Sequence, residues 1–331
     1  MPSETSTTTD PFLSLPPELF LLIATKLAPE DLASFIVLSR VLSRTYVPLL
    51  TTYTSRQGET LLTGAIIQRF HGLAHSLLQH GADPNPSDTV GQATPLHHAS
   101  LAVDLPSIQL LLHFAANPNS QALGEITPLH FAATAPAGHT IIPTLIRGGA
   151  LINVPNDTGC TAIYFAASKG REQNVRTLLD LGADCTLADT GGWAPLHCAA
   201  AMGHAGIINM LVDAGANVGT RDAAGLTPLI YAATKGQVAA VKMLLARGAD
   251  VDAADRMGGT TELTAICCAA CAGHEDVVRV LLEAGASVGL RDAVISAGAA
   301  GERNVMEMLL KCGREEVRDR SGELRAYFRE V

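Results

Sequence analysis

Apolar residues recur along this chain in two interleaved patterns. The first is short: a Thr, a Pro or Ala, a Leu or Ile, and then a pair of small residues, as in TPLHHA from Thr94. The second carries leucine and valine at i and i+3/i+4, as in VVRVLLEAG from Val277, the spacing of one apolar face of a helix. The first pattern predicts a helix capped by Thr with Pro in its first turn. The second predicts a helix closed by a glycine in the left-handed conformation. Helices this short cannot each bury their own face, so the alternation predicts helix pairs stabilised by stacking on their neighbours.

Both patterns keep a fixed phase. TPLHHA returns as TPLHFA at Thr127, TAIYFA at Thr161, APLHCA at Ala194, TPLIYA at Thr227 and TAICCA at Thr264. In step with it run GADPN at Gly81, GADCT at Gly182, GANVG at Gly215, GADVD at Gly248 and GASVG at Gly285. The spacing of about 33 residues identifies the array as similar to ankyrin repeats. The expected fold class is therefore all-α with short β-hairpin turns, a solenoid of eight repeats over residues 57–313. The repeats lie near 57–90, 91–123, 124–156, 157–190, 191–223, 224–256, 257–290 and 291–313. The first is degenerate, with Thr60 and Gly81 holding the two key slots, and the eighth loses the TPLH turn and reads as a C-terminal cap. Two stretches break the rhythm: TAPAGHTIIPTLIRGGA from Thr134, with two extra prolines, and MGGTTEL from Met257, which lengthens one hairpin. Insertions in such arrays fall on loops along one face, often the binding face; structural drift is the other explanation.

Ahead of the repeats, residues 1–11 read as a disordered Ser/Thr-rich leader. Residues 12–50 then form a helix pair. Leu19, Ile23 and Leu27 make one apolar stripe, while Leu32, Phe35, Leu38 and Leu42 make a second that ends before Pro48. Leu15, Pro16, Glu18, Leu19, Ile23, Leu27, Asp31, Leu32, Leu38, Ser39, Arg40 and Arg44 follow an order that resembles the F-box. That module docks on the adaptor subunit of cullin–RING ubiquitin ligases. The resemblance implies an adaptor-facing surface of Leu15, Pro16, Leu19, Ile23, Leu27 and Leu32. Without the resemblance, the same helices read as a cap over the first repeat.

Composition narrows the function classes. Of 331 residues 47% are hydrophobic and 17% charged, as in a folded soluble chain. The net charge of −9 argues against nucleic acid and against an anionic membrane surface as partners. The apolar run LFLLIATKLA is interrupted by Lys26 and is too short to span a bilayer. The N-terminus lacks the basic, apolar order of a secretory signal. Seven cysteines, an odd number within or beside repeat helices, suit reduced thiols in the cytoplasm or nucleus.

The candidate chemistry resolves into repeat slots. His97, His130 and His197 are the histidine of TPLH, placed to tie neighbouring turns, and His139, His204 and His274 follow the mid-repeat glycine. Cys267, Cys268 and Cys271 cluster in CCAAC, but no second CxxC or CxxH completes a zinc set. Asp157, Asp189, Asp222 and Asp255 recur in the hairpins, where Asp favours turns. With no phosphate loop, nucleophile elbow or HExxH, the expectation is no enzyme, no metal and no cofactor.

The expectation is a binding surface instead. In ankyrin proteins the hairpin tips and first helices line a concave face. The residue before each threonine slot is expected to project there: Ala93, Ile126, Cys160, Trp193, Leu226 and Leu263, joined by Lys169, Met202 and Lys235 on the first helices. Exposed aligned apolar residues mark interaction sites, and a Trp is a frequent anchor. Alternatively these side chains pack sideways on adjacent hairpins. The charged segment 314–331, with Tyr327 and Phe328, reads as a tail or an extension of the cap. The expected function is a ubiquitin-ligase adaptor whose repeats hold a protein substrate, with a stand-alone ankyrin scaffold as the alternative.

Overall fold

A computed structural model describes residues 60–88, 90–255 and 263–316, with side chains through residue 311. The F-box-like surface (Leu15, Pro16, Leu19, Ile23, Leu27, Leu32), the leader, the residues inserted from Met257 to Glu262 and the tail from residue 317 lie outside the described residues. The chain divides into two compact units, residues 1–157 and 158–331.

Among the described residues the first unit contains three helix pairs: α1 (Leu61–Ile67) with α2 (His71–Gln79), α3 (Pro95–Leu101) with α4 (Leu105–His113), and α5 (Pro128–Thr134) with α6 (Ile142–Arg147). The described residues of the second contain five. They are α7 (Ala162–Ser168) with α8 (Glu172–Asp180), α9 (Pro195–Ala201) with α10 (Ala205–Asp213), α11 (Pro228–Thr234) with α12 (Val238–Ala246), α13 (Ala265–Cys271) with α14 (Glu275–Glu283), and α15 (Leu290–Ala300) with α16 (Arg303–Glu316). Within each unit, first helices pack on first helices and second helices on second helices. Among the described residues the hairpins make only isolated bridges, Ala122 with Ile126 and Ala254 with Thr264. The chain is an all-α repeat fold, as the two patterns predict.

The sequence explains each element. Extended Thr94, Thr127, Thr161, Thr227 and Thr264 cap α3, α5, α7, α11 and α13. Leu96, Ile108, Leu111 and Leu129 are fully enclosed in the first unit, as are Leu196, Ile207, Leu211, Val241 and Leu244 in the second. Each such side chain contributes about 1.5–3 kcal/mol by burial. The paired alanines, such as Ala199 and Ala200 or Ala232 and Ala233, are also buried. Their small size lets first helices approach closely, and larger residues there would overpack the interior.

The proline-rich third repeat has a structural outcome. Ala135, ahead of Pro136, leaves the helix in an extended conformation, as a residue before proline prefers. A 3₁₀ turn, Gly138–Thr140, follows, and α6 is cut to six residues where α4 has nine.

Candidate protein-binding site

Aspartates build the hairpins. Oδ1 of Asp189 accepts the N–H groups of Gly191 at 2.8 Å and Trp193 at 2.9 Å, while Asp189 N–H donates to the Trp193 carbonyl at 2.9 Å. Asp222 repeats the arrangement with Ala224 and Leu226, at 2.9 and 2.8 Å. Asp88 does so with Gly91 and Ala93, and Asp255 accepts from Leu263 at 3.1 Å. The carboxylate closes the loop on itself, which fixes where each neighbouring side chain goes.

That geometry changes the reading of the expected ladder. At Trp193 and Leu226 the Asp holds the N–H of the residue before the cap, and both side chains are half-buried beside the hairpin. Cys160 is only 7% exposed and is withdrawn from the candidate contact surface. Ile126, Trp193 and Leu226 are half-buried, and Leu263 is 43% exposed. The Trp193 ring packs on Tyr231, centroids 4.3 Å apart at 56°, with His197 at 6.2 Å. Tyr231 in turn donates to Asp222 Oδ2 at 2.5 Å.

In the first unit the residue that stands at the tip is four positions ahead of the cap. Val90 is 80% and Leu123 is 70% exposed, and Leu123 N–H donates to the Gly91 carbonyl at 2.8 Å. Sequence reasoning missed both. A usable signal existed: Val90 and Leu123 precede Gln92 and Glu125, whose positive φ of 54° and 56° places them where other repeats have glycine.

On the first helices of the second unit, Lys169, Met202 and Lys235 are the C-cap residues of α7, α9 and α11, and all three are exposed. Successive first helices pack side by side, so these residues share one edge.

The histidine slot supplies the connection between repeats. His97 Nδ1 accepts Thr94 N–H at 3.0 Å, and Nε2 donates to the Ile126 carbonyl at 3.0 Å. His197 does the same with Ala194 and Leu226, at 3.1 and 3.3 Å. These contacts require the neutral ring with its proton on Nε2. Burial pulls His97 down to about 4 and lowers His197 in the same direction. Tyr164 fills the slot in α7 and donates to Asp189 Oδ2 at 2.9 Å. Cys267 fills it in α13, its thiol directed to the Gly289 carbonyl at 3.1 Å.

Other reactive groups are likewise in structural use. His71 Nε2 lies 3.0 Å from Asp104 Oδ2, which also accepts the Ser107 hydroxyl at 2.6 Å. The serine proton is directed to the carboxylate and not to the imidazole, so the order needed for a serine nucleophile does not arise. Cys185, Cys198 and Cys267 are buried, Cys268 is half-buried and Cys271 is exposed. Burial raises the thiols of Cys185, Cys198, Cys267 and Cys268, that of Cys198 to about 12. Among the described residues, no group of three or more His, Cys, Asp or Glu side chains converges on a metal position. Nor, among them, is any helix long and apolar enough to cross a membrane.

Comparison with known proteins agrees with the repeat architecture. Residues 96–189 and 187–255 match the family described as ankyrin repeats in three copies, and residues 261–293 match a single ankyrin repeat. A curated relative, the transient receptor potential channel pyrexia of Drosophila melanogaster, is 34% identical over 109 residues. That stretch covers 33% of this chain, and the chain spans only 11% of the length of that protein.

Proposed function

We propose that this chain, which belongs to the ankyrin-repeat family, works by holding another protein. The observation that carries the reading is the exposed edge Lys169, Met202 and Lys235 on first helices whose other faces are closed by the core. In the same unit Trp193, Leu226 and Leu263 flank the hairpin side as accessible or partly accessible apolar surface. Apolar surface beside uncommitted charge is the make-up of a recognition face, apolar at its centre and polar at its rim.

The finer proposal is a substrate-recognition adaptor of a cullin–RING ubiquitin ligase. It rests on the residue order Leu15, Pro16, Glu18, Leu19, Ile23, Leu27, Asp31 and Leu32 alone. On this reading the N-terminal segment docks the ligase adaptor subunit in the cytoplasm or nucleus, and the repeats raise the effective concentration of substrate near the ubiquitin-loaded enzyme. The chain itself transfers nothing. The test is capture of the purified ligase adaptor subunit by the full chain, beside a Leu19→Asp/Ile23→Asp double variant. Capture by the wild type and loss in an equally folded variant supports the ligase role. Failure of the folded wild type to capture the adaptor leaves a stand-alone ankyrin scaffold with its N-terminal helices as a cap.

A further inference from the structure

We propose that the first-helix edge of the second unit receives a partner segment that is acidic as well as apolar. The proposal rests on the protein-holding reading and specifies what is held.

The chain carries 32 acidic and 23 basic residues, so a cation in the second unit has carboxylates at hand. On the second helices some of them are used, though not by the exposed Arg176 and Lys242. Arg247, capping α12, bonds Asp213 at 2.5 Å and also Asn209; Arg279 lies 4.0 Å from Asp276, and Arg303 lies 3.4 Å from Glu307. Lys169 and Lys235 also go without a carboxylate, and they share an edge with the exposed Met202. Both are exposed, and neither ammonium has an acceptor among the described residues. The hairpin carboxylates of Asp189 and Asp222 cannot serve, since they are occupied by N–H groups of their own loops and by Tyr164 and Tyr231.

Lysine near a helix C-terminus gains a few tenths of a kcal/mol from the helix dipole. That accounts for a lysine there, but the same slot holds Met202 in α9, 54% exposed between the two. A methionine gains nothing from a dipole, and it is an adaptable apolar contact.

The geometry defines what fits. A first helix of seven residues is about 10 Å long, so the cap row stands about 10 Å from the hairpin row of Trp193, Leu226 and Leu263. Neighbouring helices pack at about 8–10 Å, which puts Lys169 and Lys235, two repeats apart, about 16–20 Å from each other. A partner helix, about 10–12 Å across, would bridge the two rows. Its carboxylates would lie about 11–13 residues apart, with apolar side chains on the flank facing Trp193.

The experiment is selection of a random peptide library displayed on phage against the full chain and against a Lys169→Glu/Lys235→Glu variant, with thermal unfolding as the folding control. Both lysines are exposed, so the variant retains the fold. The expected result is enrichment of Asp/Glu with Leu, Phe or Trp on the wild type. Those peptides lose at least tenfold in affinity on the variant, and the variant selects basic peptides instead. Enriched peptides that are neutral or basic, or that bind the variant unchanged, overturn the acidic assignment while leaving the protein-holding reading in place. No enrichment on the folded wild type overturns both. A rise in affinity on deletion of residues 317–331 makes the chain's own tail the occupant and overturns a separate partner.

Discussion

The imidazole of His97 joins two repeats: Nδ1 receives the N–H of Thr94 at 3.0 Å, and Nε2 donates to the carbonyl of Ile126 at 3.0 Å. Here a histidine completes the capping box usually closed by Glu or Gln. Replacing His97 with Leu strands a buried donor and a carbonyl together, which costs about 2–4 kcal/mol. A lowered urea midpoint with an unchanged slope is the expected observation.

The same ring makes stability depend on pH. Its folded-state pKa, about 4, lies below its ordinary value of 6.5. As pH falls from 6.5 toward 4, the unfolded chain takes up a proton that the folded one refuses, so stability drops through that window. The contribution of His97 is about 3 kcal/mol by linkage, and His197 acts in the same direction. Urea midpoints at pH 7, 5.5 and 4 should decline steadily, and less steeply in His97→Leu.

Asp104 acts in the same direction in a separate, more acidic window. Burial pushes its carboxyl up, but hydrogen bonds from Ser107 and His71 outweigh it and hold it below 3.8. Its contribution is present above pH 3.8 and disappears as pH falls through the lower folded value. In Ser107→Ala, acid unfolding should begin at higher pH, while the urea profile above pH 5 keeps its shape.

Gly170 and His204 are coupled by space. Gly170 has φ of 68°, and a Cβ built there would lie 2.6 Å from the His204 ring. Gly236 repeats the relation with His274 at 2.8 Å. Gly170→Ala should cost more than the 1 kcal/mol or so of backbone strain alone. The excess should vanish in a His204→Ala background. A double-mutant cycle gives the coupling, and additivity within about 0.3 kcal/mol would contradict the contact.

Among the thiols with described side chains, Cys271 is the exposed one. Under native conditions, maleimide labelling followed by peptide mapping should modify Cys271 first and Cys268 more slowly. Cys160, Cys185, Cys198 and Cys267 should be protected until unfolding. Access sets this order.

The helix pairs were legible because their signals are local: a Thr cap, a Pro, paired alanines and a closing glycine each act within one turn. The TPLH slot of His97 and His197 was legible for the same reason. The hairpin surface was harder to read. The placement of Trp193 depends on which N–H the Asp189 side chain accepts, and Val90 and Leu123 stand at tips where Gln92 and Glu125 adopt a left-handed backbone. The shortening of α6 was also hidden, since a proline marks a break without fixing how many residues the break consumes.

The histidine slot has a consequence for where the array tolerates added length. A ring at that position commits the following hairpin to present one carbonyl at one place. In α11 the slot holds Ile230, buried and without a side-chain donor. The hairpin it would have clasped, ending at Leu263, is the one that carries the extra residues from Met257. With no clasp to satisfy, that joint accepts insertions that a histidine would reject, so grafted sequences should be accommodated after Asp255 and not after Asp222, whose hairpin His197 holds by the Leu226 carbonyl.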